Sequence, residues 1–125
     1  MAMKTLSLLV CLICGGASAS FARAAEMTLD YTWLGTVLCA PLPKSPEFQV
    51  GNVPAGTTQL RFVLLSPSGR DLGGAALPLP ANGTVPTGAV AFRPPCLGGM
   101  YTWAVEAVDV NGKTLANAKL TRPFY

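Results

Sequence analysis

A serine hydroxyl becomes a nucleophile when a base stands beside it, and the commonest base is missing here: the 125-residue chain contains no His. The same absence removes the commonest zinc ligand and the side chain that switches charge near neutral pH. Lys44 next to Ser45 has the residue types of a Ser–Lys dyad. Neighbours on an extended chain point to opposite faces, so the pair reads as solvated loop. Asp71 and Glu106 are the residue types that hydrolyse glycosides in pairs, yet nothing in the sequence brings them together, and they read as surface charge. Gly73-Gly74 and Gly98-Gly99 lack the spacing, and the Lys-Ser/Thr, that make a phosphate loop. No catalytic residue, metal site or cofactor emerges, and the chain reads as a non-enzyme.

Side chains that could bind rather than react are more plentiful. Tyr31, Trp33, Phe92, Tyr101 and Trp103 could form a stacking surface. They fall in alternating segments where core packing is the default, and Tyr101, beside Gly98-Gly99, is the best of them for a binding role. Asn82-Gly83-Thr84 fits the N-glycosylation acceptor pattern, but Asn-Gly is also turn chemistry, and the turn is the simpler reading.

The elements that must position these residues are short strands. Eleven Pro and thirteen Gly punctuate the chain, and no segment keeps a helical period for long. Strands are expected over 27–38, 47–50, 60–65, 89–92, 101–110 and 113–122. In 60–65, Leu60, Phe62 and Leu64 share one face opposite Arg61. The near-continuous hydrophobicity at its end predicts a central strand covered on both faces. In 101–110, Tyr101, Trp103, Val105 and Ala107 alternate with their neighbours. Asn111-Gly112 then predicts a type I′ hairpin, with Asp109 and Lys113 able to pair across it. Residues 66–86 form the largest irregular segment, with at most a short strand near Ala76.

The first residues read as a secretory leader. Lys4 precedes an apolar run over 6–14, and Ala22-Arg23-Ala24 offers a cleavage pattern. The run is too short to span a bilayer. The expected organisation is therefore a leader, 1–24, and one domain, 25–125, exported to a periplasmic or extracellular space with no transmembrane anchor. Lys4 and Arg23 leave with the leader, which nearly balances the charge and removes any case for a nucleic-acid partner. Cys39 and Cys96 remain, and in an oxidising compartment they are expected to pair.

Two segments carry a resemblance. One is Ser45-Pro46 followed by Val53-Pro54-Ala55-Gly56-Thr57 and the strand at 60–65. The other starts at Phe92 and runs through Pro94-Pro95, Cys96, Gly98-Gly99, Tyr101 and Trp103. With Thr121-Arg122-Pro123-Phe124 they make the chain resemble the phosphatidylethanolamine-binding protein (PEBP) family, in particular its bacterial Raf-kinase-inhibitor-like branch. The resemblance implies an all-β chain, a small antiparallel β-sandwich, to which the expected Cys39–Cys96 pairing adds one disulfide. It also implies an anion-binding pocket. The family's Asp-Pro-Asp-x-Pro motif is matched by Ser66-Pro67-Ser68-Gly69-Arg70, with Pro67 kept and both aspartates replaced by serine. In the second motif Pro94, Pro95 and Tyr101 persist and the family's His-Arg is gone. Ser66, Pro67, Ser68, Arg70, Pro94, Pro95 and Tyr101 are thus the candidate ligand-binding residues, with Arg70 or Arg93 as replacement donors to an anion.

The resemblance implies a binding protein for a small anionic or lipid-derived ligand. The lost pocket residues, together with 50% hydrophobic and 12% charged composition, leave a second expectation: an interaction or structural subunit with a protein partner in the cell envelope. An immunoglobulin-like module is the alternative fold, and it would need Cys39 and Cys96 to bridge two sheets around Trp33 or Trp103.

Overall fold

The structure is a computed structural model and describes residues 26–125. The expected leader, 1–24, lies outside the described residues. Seven strands follow in order: β1 (Thr28–Asp30), β2 (Phe48–Gly51), β3 (Gln59–Leu65), β4 (Asp71–Pro78), β5 (Thr84–Val85), β6 (Gly99–Val108) and β7 (Thr114–Phe124). They form two antiparallel sheets, β1-β2-β5 and β4-β3-β6-β7. No helix occurs among the described residues.

Alternation decides which way each strand faces. β3 buries Leu60, Phe62 and Leu64 and exposes Arg61; β6 buries Tyr101, Trp103, Val105 and Ala107. From the smaller sheet Phe48 closes the core, stacked on Phe62 with centroids 4.6 Å apart and edge-on to Trp103 at 5.0 Å. Between β4 and β6, β3 is central as expected. Its other face is not covered, since Arg61 is exposed and Val63 and Leu65 are only half-buried. The apolar run over-predicted burial there because half of it faces outward from a one-sided sheet.

Several strand boundaries differ from the sequence expectation. Residues 66–86, read as irregular apart from a short strand near Ala76, contain a longer strand at that position, the eight-residue β4, paired with β3 from Gln59↔Pro78 to Val63↔Gly74. Gly and Ala give it little intrinsic β preference, and the partner strand supplies what propensity lacks. A bulge admits Gly73 at φ +98°, and the ladder closes at Leu65↔Asp71. The first expected strand shrinks to β1, and 89–92 is not a strand. That segment is instead tied down by Val90 N–H to Ser45 Oγ at 3.0 Å and Arg93 N–H to the Leu72 carbonyl at 2.7 Å.

The β6–β7 hairpin is present, with a different turn. Gly112 is left-handed at φ +81° but Asn111 is not. Gly112 N–H reaches the Asp109 carbonyl at 3.0 Å, and Asp109 N–H reaches that of Lys113 at 2.9 Å. This is a three-residue loop built on a type I turn and a Gly bulge. The Asp109 carboxylate does not pair with the Lys113 ammonium; it accepts the backbone N–H groups of Asn111 and Lys113, each at 2.9 Å.

Cys39 and Cys96 form the one disulfide among the described residues, with Cα atoms 4.5 Å apart across 57 positions. It joins the β1–β2 connection to the β5–β6 connection, so it ties two loops at one end rather than two sheets through the core. The disulfide condition for an immunoglobulin-like module is therefore not met. The strand order nevertheless follows that scheme: first, second and fifth strands face third, sixth and seventh. The fourth joins the larger sheet beside the third.

Candidate functional site

The disulfide-tied end gathers most of the residues singled out from the sequence. A recess of about 410 Å³ is lined by Ser66, Pro67, Ser68, Arg70 and Leu72 on one side and by Pro95, Cys96, Leu97, Gly98 and Tyr101 on the other. Six of the seven candidates line it; Pro94, half-buried, does not. Leu72 and Leu97 carried no motif signal and were missed.

Local chemistry explains the first wall. The β3–β4 connection is a tight turn. Gly69 N–H bonds the Ser66 carbonyl and Ser66 N–H the Arg70 carbonyl, both at 2.9 Å, with Gly69 at φ +84°. The serine hydroxyls are partly engaged inside it. Ser66 Oγ accepts Arg70 N–H at 3.0 Å and shares a hydrogen bond with Ser68 Oγ at 3.0 Å. Pro67 leans on the start of β6, where a Cβ on Gly99 would come within 2.9 Å of its ring; Gly99 permits that approach.

The floor is Tyr101, buried and donating its hydroxyl to the Leu97 carbonyl. Tyr101 is thus a core residue whose edge reaches the recess, not an exposed stacking platform. Tyr31, Phe92 and Trp103 are also buried, and Trp33 is half-buried over Phe124. What remains for a ligand is a largely apolar surface with one cation. The Arg70 guanidinium is exposed and has no hydrogen bond or ion pair among the described residues. Arg93, the other possible donor, is outside the recess and engaged, with Nη2 donating to the Asp71 carbonyl at 2.9 Å.

The remaining candidates sort plainly. Lys44 is exposed, but Ser45 is fully buried; its carbonyl accepts Gly88 N–H at 2.9 Å and its Oγ accepts Val90 N–H. It pins the 86–92 segment and is not solvated. Asp71 and Glu106 line one recess, of about 350 Å³, on the outer face of the larger sheet, but they are not a pair: Asp71 lies opposite Leu65 and Glu106 opposite Arg61, on either side of β3. Each carboxylate already has partners there. Asp71 accepts Gly73 N–H at 2.7 Å, and Glu106 accepts Thr114 Oγ1 at 3.0 Å and stands 3.9 Å from Arg61. Asn82 caps its own turn, accepting Thr84 N–H at 3.1 Å. Among the described residues no cluster of three or more His, Cys, Asp or Glu could hold a metal.

Compared with family models, curated proteins and solved structures, the chain matches none.

Proposed function

We propose that this chain is an exported, non-catalytic binding module whose site is the recess at the disulfide-tied end. Its ligand is a small amphiphile: an apolar body against Pro67, Leu72, Pro95 and Leu97, and one anionic group on Arg70. The observation that carries this reading is the convergence of Ser66, Pro67, Ser68, Arg70, Pro95 and Tyr101 on one recess with the Arg70 side chain unengaged. The resemblance to the PEBP family supports it from the sequence side. Without the family's Asp and His, and with the two serines bonded to each other in the turn, recognition falls to shape, apolar contact, one guanidinium and one remaining Ser O–H.

The test is a titration with dodecyl phosphate below its micellar concentration, read by calorimetry. Arg70→Ala is expected to weaken binding about tenfold, the equivalent of ~1.4 kcal/mol for one lost charge-assisted contact. Arg93→Ala is expected to leave it unchanged. No binding to the wild type, or equal loss in both variants, would sink the proposal.

One observation favours a protein partner as a second reading. Leu97, Met100 and Tyr125 are exposed around this end, and Val37 and Leu42 stand close to Cys39 in the chain. Such a patch suits a protein surface. Native mass spectrometry of the protein from its own cell envelope separates the two, since a ligand adds a few hundred daltons, by order of magnitude for a drug-sized molecule, and a partner adds a whole chain.

A further inference from the structure

Residues 32–47 form a long strap between β1 and β2, and its ends are anchored. Trp33 lies over Phe124 with centroids 4.0 Å apart and donates Nε1 to the Arg122 carbonyl at 3.4 Å. Ser45, at the other end, is buried and bonded to the 86–92 segment. Between these anchors the strap bonds mainly to itself. Thr36 Oγ1 donates to the Lys44 carbonyl at 3.0 Å, and Thr36 N–H to that of Trp33 at 2.9 Å. Among the described residues, its hydrogen bond to another segment is Cys39 N–H to the Pro95 carbonyl at 2.8 Å, and its covalent link is Cys39–Cys96. Leu38 adds a half-buried contact to the core, while Leu34, Val37 and Leu42 are exposed.

Two further facts single out the bridge. Both cysteines are exposed, so a reductant has access. Cys39 is held at φ +57°, one of two non-glycine residues with left-handed backbone among those described. That conformation costs energy and persists where the surroundings enforce it; at Cys39 the enforcing contacts are the bridge and the bond to Pro95.

We infer that Cys39–Cys96 is a redox latch on the recess. A dithiol reductant opens it, which frees residues 33–44 (Trp33 included, since its indole is only half-buried and its N–H bond is long at 3.4 Å) and removes the backing of the Cys96 wall while the sheets stay packed. The exchange balances in two steps. One thiolate of the reductant attacks a bridge sulfur, forms a mixed disulfide and releases one cysteine thiolate. The reductant's second thiol then displaces the other cysteine, leaving two protein thiols and an oxidised, disulfide-bonded reductant. The sheets hold because Phe48, Phe62, Leu64, Trp103 and Val105 pack between them away from the bridge, and no strand ladder runs through either cysteine. The latch rests on the binding site proposed above for its purpose, but its readout needs no ligand, so either proposal can fail alone.

The two tryptophans separate the outcomes, since Trp33 sits on the strap and Trp103 in the core. Dithiothreitol is added to the native protein, and complete reduction is confirmed by thiol counting. The expected result is a red shift and stronger acrylamide quenching of the Trp33 emission, obtained as wild type minus Trp33→Phe. Tryptic cleavage after Lys44 should accelerate, while Trp103 emission and far-ultraviolet circular dichroism hold. The Cys39→Ser/Cys96→Ser double variant should behave as the reduced form without reductant. If Trp103 shifts and the dichroism collapses, the bridge is a staple of the whole fold and the latch is overturned. Unchanged Trp33 emission and Lys44 cleavage after full reduction overturn it equally.

Discussion

At the scale of single residues, Tyr31 shows how one side chain can tie the sheets together. Its hydroxyl donates to the Leu120 carbonyl at 2.9 Å, and the ring packs edge-on to Phe48 at 5.8 Å. Burial pushes its pKa up to about 12, only partly offset by backbone hydrogen bonding and by Arg122, whose guanidinium lies 6.0 Å from the ring centroid. The folded state therefore favours the neutral phenol. Its contribution is fully present below the unfolded value near pH 10 and is lost as pH rises toward 12. Two units correspond to about 2–3 kcal/mol. Urea unfolding at pH 9 and pH 11.5 should show that extra loss in the wild type and not in Tyr31→Phe. At neutral pH the variant should lose about 1–3 kcal/mol, because the Leu120 carbonyl is left without its donor. Parallel pH curves for the two proteins would refute this account. None of it was legible beforehand: Tyr31 reads as one more aromatic, and its partner is distant in sequence.

At the scale of elements, β3 and β6 were readable because their alternation is strict and their large side chains sit on one face. β4 was readable only as a short strand near Ala76, because Gly73, Gly74, Ala75 and Ala76 carry little strand signal and the pairing with β3 sets its length. Gly74 shows how close that pairing is. A Cβ there would meet the Phe62 carbonyl oxygen at 1.8 Å and the Val63 Cα at 2.9 Å, both backbone atoms that cannot step aside. Gly74→Ala should cost about 1–3 kcal/mol or more and open the β3–β4 ladder, seen as faster amide exchange at Ala75 and Leu77. Gly69 makes the useful contrast. It is left-handed but faces open space, so Gly69→Ala should cost only about 1 kcal/mol for the strained backbone. Equal costs at the two sites would contradict the distinction. The same logic explains the partial reading of the recess. Ser66, Pro67, Ser68, Arg70, Pro95 and Tyr101 belong to quotable motifs, whereas Leu72 enters at the start of β4, beyond the short strand the sequence placed near Ala76.

At the scale of the molecule, of the four cysteines Cys11 and Cys14 fall in the expected leader; that leaves Cys39 and Cys96 one possible intramolecular pairing, and the pairing is present. Closing a loop of this length contributes at most about 4 kcal/mol in the chain-entropy picture. A small domain typically holds about 5–15 kcal/mol in all. Loss of the bridge should therefore lower stability without unfolding the sandwich. Denaturant midpoints for the wild type and Cys39→Ser/Cys96→Ser should differ while both proteins still unfold cooperatively. The all-β class was legible because turn residues recur at short intervals. The order β1-β2-β5 against β4-β3-β6-β7 was not, since chain crossings between sheets leave no local signal.

The central claim is that the recess between the β3–β4 turn and the Cys96 loop is where this molecule binds. Amide chemical shifts followed during a dodecyl phosphate titration test it most directly. The account predicts shifts confined to residues 66–72 and 96–101, suppressed in Arg70→Ala. Shifts centred on the outer recess at Arg61, Asp71 and Glu106, or on the β1-β2-β5 sheet, would contradict it.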